Sequence, residues 1–159
     1  MKKLLIIGVV IIAFFALIVF LSNKSDEAKL KDNPYGTNNL PKSTIDLIGN
    51  ENYDNIVLPE ALFEKIESGE SVTAYYFHPE CQFCMAMTPV MMPIAKEMGV
   101  DVWQYNMQVF GNQVGADTEY NIVNWPTLVH YKDGKEVGRM SGQQPEENIR
   151  AFFNEFESK

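Results

Sequence analysis

The chain opens on an apolar run with no polar period. Leu4 to Leu21 reads LLIIGVVIIAFFALIVFL, 18 residues without a charge. As a helix such a run is roughly 27 Å long, enough to cross a hydrocarbon core. No polar stripe interrupts it, which argues against a helix packed in a soluble core. After Leu21 the pattern breaks down. Residues 22–50, beginning SNKSDEAKLKDNPYG, are polar, hold Asn, Pro and Gly, and sustain no apolar period. They read as a linker, with ordered structure from about Ile45 onward.

From about Asn52 the hydrophobic positions fall into alternating helical and extended patterns. Pro59 opens a short helix, PEALFEKIES, with Leu62, Phe63 and Ile66 on one side and Gly69 at its end. Ser71–Phe77 (SVTAYYF) is β-branched and aromatic and predicts a central strand. A helix runs from Cys81 to about Met98, with Cys84, Met87, Met91, Ile94 and Met98 on its buried face and Gly99 as the stop. Asp101–Asn106 is the next strand, and residues 108–124 form a loop with one short helix. Thr127–Met140 predicts a hairpin turning at Asp133-Gly134. Pro145 opens the last helix, whose Ile149, Phe152, Phe153 and Phe156 recur at helical spacing. With a weak strand ahead of Pro59, the order is β, α, β, α, β, short α, β, β, α. This is an α/β domain over residues 51–159, a central mixed β-sheet flanked by helices and preceded by one N-terminal transmembrane helix.

Charge adds an orientation. Lys2 and Lys3 precede the apolar run, so the positive-inside bias puts the N-terminus in the cytoplasm and everything after Leu21 outside. Residues 1–21 then form a single-pass anchor in the plasma membrane. A cleaved signal peptide is the rival reading, but the run exceeds the usual apolar length and no small-x-small pair follows it. The net charge is −8, and setting aside the two lysines leaves −10 beyond Leu21. Such acidity argues against nucleic acid or anionic lipid as a partner.

The candidate chemistry lies in HPECQFCMAMTP, His78 to Pro89, which holds the only two cysteines, Cys81 and Cys84. Three uses compete: a structural disulfide, half of a metal site, or a redox pair. A bridge between Cys81 and Cys84 closes too short a loop to stabilise the fold much through chain entropy. For a metal, Cys81, Cys84 and Met85 form a soft sulfur set that selects Cu(I), so a copper metallochaperone is the alternative function. No further Cys/His pair completes a tetrahedral zinc site. For a redox pair, the helix start brings the two sulfurs within bonding reach, and its unpaired N–H groups favour a thiolate on Cys81. Cys81 is then the attacking sulfur and Cys84 the resolving one.

Three further features accompany the motif. Pro89 falls five residues after Cys84, inside the predicted helix. Trp125-Pro126-Thr127 stands just before a strand, and a strand, tight turn and strand follow. With these features, residues 52–157 resemble the thioredoxin superfamily, and the whole chain is similar to membrane-anchored, extracytoplasmic thioredoxin-like proteins of bacterial envelopes. The resemblance implies that Cys81 and Cys84 are the catalytic pair, Pro89 the helix-kinking proline and Pro126 a cis-proline. It also implies that the backbone of Trp125 and Thr127 beside Pro126 holds a substrate chain in extended form. Phe83 is expected to be exposed as a contact for that chain.

The departures from thioredoxin itself define what tunes the pair. Glu80 stands where thioredoxin has Trp, Gln82-Phe83 where it has Gly-Pro, and Tyr75 where it has a buried acid. Glu80 opposes a thiolate on Cys81 if it points inward, or is a solvated loop carboxylate. His78 either stabilises the thiolate as an imidazolium or shapes the turn beside Pro79. His130, in a central strand, is expected to be structural. The expected function is extracytoplasmic thiol–disulfide exchange with exported proteins or peptides, without a cofactor and with a membrane redox partner as a second candidate partner. The missing acid and the exported location point away from a strong reductant.

Overall fold

The computed structural model describes residues 2–157. The first helix, α1, spans Lys2–Lys31. It contains an apolar stretch of mean hydropathy 2.8 and is long and apolar enough to cross a membrane. It extends past the apolar run because Ser22–Lys31 is a polar helical continuation, carrying a Lys24–Glu27 pair at 3.2 Å.

The stretch read as a linker is partly structured. Beyond α1 it contains a second helix, α2 (Lys42–Leu47). Tyr35, Thr44 and Ile45 are buried. A 3₁₀ turn at Glu51–Tyr53 leads to α3 (Pro59–Glu67), which Pro59 opens. The weak strand expected ahead of α3 is only an isolated parallel bridge from Ile56 to Gln104. Pairing there is confined to Gln104 N–H donating to the Asn55 carbonyl and Val57 N–H to the Gln104 carbonyl, before Pro59 turns the chain into α3.

The sheet has four strands in the order β2-β1-β3-β4. They are β1 (Val72–Phe77), β2 (Val102–Asn106), β3 (Thr127–Lys132) and β4 (Lys135–Ser141). β2 runs parallel to β1, whereas β3 pairs antiparallel with both β1 and β4. The β3–β4 turn is Asp133-Gly134, both with positive φ (52° and 74°), which matches the right-handed twist of a tight hairpin. Three helices complete the domain: α4 (Gln82–Met98), α5 (Met107–Phe110) and α6 (Glu146–Glu157).

Alternation along β1 divides the core into two layers. Tyr75 and Phe77 face α4 and α6, where Cys84, Met87, Met91, Ile149 and Phe153 pack. Ala74 and Tyr76 face the other layer, with Leu62 and Ile66 of α3 and with Val114 and Ile122 of the 111–126 connection. Met98 is only half-buried at the end of the α4 stripe. His130 has the structural role expected of it: its ring nitrogens meet Thr73 Oγ1 at 2.8 Å and Ser71 Oγ at 3.1 Å, and its ring stacks on Phe156. Because β1 lies between β2 and β3, the loop leaving its C-terminal end delivers Cys81 to the middle of one end of the sheet.

Candidate active site

Cys81 is the N-cap of α4, with extended backbone (φ −87°, ψ 114°), and no side chain caps the helix there. The first-turn N–H groups therefore border its thiol, and their positive end favours negative charge. Cys81 is partly exposed and Cys84, one turn on, is fully buried. On one side Cys81 Sγ lies 3.6 Å from the Trp125 carbonyl oxygen. The Trp125–Pro126 peptide is cis, as expected from the sequence.

The surroundings of the two sulfurs differ. Burial pushes the Cys84 thiol up to about 12, with Cys81 adding to the rise and the His78 backbone N–H, 3.5 Å from Cys84 Sγ, opposing it. Hydroxyls lie beside it. Thr88 Oγ1 donates to the Cys84 carbonyl at 2.8 Å and is 3.0 Å from the Tyr75 hydroxyl. Burial, above all, holds the Tyr75 phenol well above its ordinary value, so the residue at the place of the family's buried acid stays protonated. Tyr53, also raised by burial, donates to Met85 Sδ at 3.5 Å, which engages the thioether that copper ligation would need.

The remaining sequence candidates surround this pair. Phe83 and Trp125 are 51% and 38% exposed, flanking Cys81 with apolar surface. Phe83 faces Gly142 to Pro145 across an open pocket. The Trp125 ring stacks on His78 at 5.4 Å, and His78 Nδ1 accepts the Glu80 N–H at 3.1 Å, so His78 ties the turn together. Thr127 turns its side chain inward to donate to the Asn124 carbonyl at 2.8 Å, leaving its backbone as the part that lines the site. Gln82 is exposed on the first turn of α4. Pro89 lies inside α4, accompanied by a second proline, Pro93. Glu80 is exposed, but its carboxylate is held: Ser43 Oγ and Gln108 Nε2 each lie 3.0 Å from its Oε1.

Comparison with known proteins supplies the family. The thioredoxin family model matches residues 50–155. The chain belongs to the thioredoxin family. It is 30% identical to a thioredoxin of Chlamydia pneumoniae over 111 residues, 69% of this chain and 96% of that protein. It is 32% identical to a thioredoxin of Bacillus subtilis over 89 residues, 55% of this chain and 85% of that one. Among solved structures, Fasciola hepatica thioredoxin superposes with a TM-score of 0.50 at 28% identity, covering 61% of this chain and 89% of that one. A mutant thioredoxin from Halobacterium salinarum shares the fold at TM-score 0.54 and 22% identity, covering 64% and 88%. Thiol–disulfide oxidoreductase chemistry, at the level of the family, extends to this chain.

Sequence reasoning does not find Thr88, Tyr53, Ser43 or Gln108. Thr88 had a signal, since it lies one helical turn after Cys84. Ser43 and Gln108 had none, because 65 positions separate them in the chain and only the fold brings them together.

Proposed function

We propose that this protein is a membrane-anchored, extracytoplasmic thiol–disulfide oxidoreductase in which Cys81 attacks and Cys84 resolves. The observation that carries the reading is the asymmetry of the pair. Cys81 is accessible at a helix N-terminus beside the Trp125 carbonyl that precedes the cis-proline, while Cys84 is buried one turn behind it.

In the reducing direction the Cys81 thiolate attacks one sulfur of a substrate disulfide. An S–S bond forms to Cys81 and the other substrate sulfur leaves as a thiolate, which takes up a proton. Cys84 then loses its proton and attacks Cys81 Sγ. The mixed disulfide breaks, the second substrate thiol is released and the Cys81–Cys84 disulfide forms. Two electrons pass to the substrate, and the reverse sequence oxidises a dithiol. The exposed Phe83 and Trp125, with the backbone around Pro126, provide the surface on which an extended chain lies. Exported proteins or peptides are the proposed substrates, and a membrane redox protein is the proposed source or sink of electrons. The apolar helix and the preceding lysines support anchoring with the domain outside.

Cys81→Ala should abolish disulfide exchange in insulin reduction and in ribonuclease refolding, and Cys84→Ala should accumulate a mixed disulfide visible on a non-reducing gel. Full activity in both variants would refute the reading. The potential of the couple assigns direction: about −270 mV marks a reductant of thioredoxin type and about −120 mV a strong oxidant.

A further inference from the structure

The segment before residue 50 lies outside the matched family domain, yet it reaches the redox motif. Ser43 Oγ lies 3.0 Å from both Glu80 Oε1 and Gln108 Oε1, and Gln108 Nε2 donates to the same Glu80 oxygen at 3.0 Å. Behind them Thr44 donates to Gln108 Oε1 at 2.7 Å. Asn106 Nδ2 donates to Thr44 Oγ1 and to the Tyr35 hydroxyl, and its Oδ1 accepts the Gln108 N–H at 2.9 Å. Thr44 and Asn106 are fully buried, so this is a packed polar network and not a chance surface contact.

The network pulls in one direction. Gln108 follows β2, while Cys81 Sγ points to the Trp125 carbonyl, just before β3. β2 and β3 lie on opposite sides of β1, so on these adjacent residues the Glu80 carboxylate is bonded on the β2 side and the Cys81 sulfur meets its partner on the β3 side.

We infer that Ser43, from the segment outside the matched family domain, and Gln108, from within it, are positioning residues for the redox reaction that together hold the Glu80 carboxylate away from the Cys81 thiolate. A carboxylate free to rotate beside a thiolate disfavours it by like-charge repulsion, and the clamp removes that penalty without removing the charge. His78, Cys84 and Tyr75 also border Cys81, and their hydrogen bonds run elsewhere: His78 to the Glu80 and Cys81 N–H groups and to Cys84 Sγ, and Tyr75 to Thr88. The inference rests on Cys81 being the attacking sulfur.

The test is a double-mutant cycle on the full chain in detergent, read as the rate and pH profile of iodoacetamide alkylation of reduced protein. Ser43→Ala, and separately Gln108→Leu, should slow alkylation at neutral pH by about threefold and move the profile to higher pH. In a Glu80→Gln background the same substitutions should change nothing. An unchanged rate in the parent background overturns the clamp, as does an equal loss in both backgrounds. Cys81→Ala serves as the reference. If it is alkylated as fast as the parent, the assignment of Cys81 as the reactive sulfur has failed and not the clamp alone.

Discussion

Resolution of the mixed disulfide should be limited by the proton on Cys84. In the dithiol protein that thiol is pushed up to about 12, chiefly by burial; tying Cys81 to a substrate removes the smaller contribution of Cys81 and leaves the contribution of burial. A thiol at about 12 is a thiolate about once in 10⁵ at neutral pH, some three orders of magnitude less often than an ordinary exposed cysteine, and this is the upper limit of the deficit in the mixed disulfide. The more basic thiolate is the better nucleophile, and a Brønsted coefficient of about 0.4–0.5 restores between one and one and a half of those orders. The net deficit is at most about 30- to 100-fold against an unperturbed resolving thiol. Tyr75 and Thr88 cannot relieve it as bases, because Tyr75 is itself held protonated and Thr88 is a hydroxyl already donating to a carbonyl. Dithiobis-nitrobenzoate reads both steps by stopped flow, since one thionitrobenzoate leaves on capture by Cys81 and the second on attack by Cys84. The second phase should accelerate about tenfold per pH unit from about pH 6 to 9 with no plateau, because its titration lies above that range. A plateau below pH 9 would refute the argument that burial controls Cys84.

Two further outcomes concern buried hydroxyls and the buried thiol. Thr88→Val removes the partner of the Tyr75 hydroxyl and leaves that buried group unpaired, which should cost about 1–3 kcal/mol in urea unfolding, whereas adding Tyr75→Phe should recover part of the loss. Tyr35, Tyr131 and Cys84 are each raised to about 12, with burial the largest cause. Their protonated forms are the ones the fold favours. Their contribution is complete below the unfolded values of about 8.5–10 and is lost as pH rises toward 12, so the urea midpoint of reduced protein should fall across that window.

What the sequence makes legible is what rests on local spacing. The aromatic and β-branched run at Val72–Phe77, the Asp133-Gly134 turn and the Ile149–Phe156 stripe each encode their own element, and all three form. The sulfur pair, the helix proline and the proline before β3 are likewise recognisable by order and separation. The docking of residues 33–48 is not. Its contacts are isolated side chains meeting across long stretches of sequence, polar ones such as Thr44 and scattered apolar ones such as Leu47, and a segment without apolar period gives no sign that Tyr35 and Thr44 are buried. The strand ahead of Pro59 failed for the opposite reason, since the local pattern permitted it but helix initiation at Pro59 left room for one bridge.

The unbroken course of α1 bears on where this protein can reach. A loose chain of residues 22–50 would let the domain roam roughly 30 Å from its anchor. Instead the ten residues from Ser22 to Lys31 stay helical, a rise of about 15 Å, and their end is fastened. Lys29 donates to the carbonyls of Ile45 and Asp46, and Lys42 pairs with Asp26 at 3.1 Å. α2 in turn touches Glu80, the neighbour of Cys81. If Leu4–Leu21 spans a bilayer as proposed, the stalk would set a short working height for Cys81 and confine its search to a thin layer above the membrane. Disulfides held within that layer would then meet Cys81 at a high local concentration, and those in the bulk would meet it only by coming to the surface.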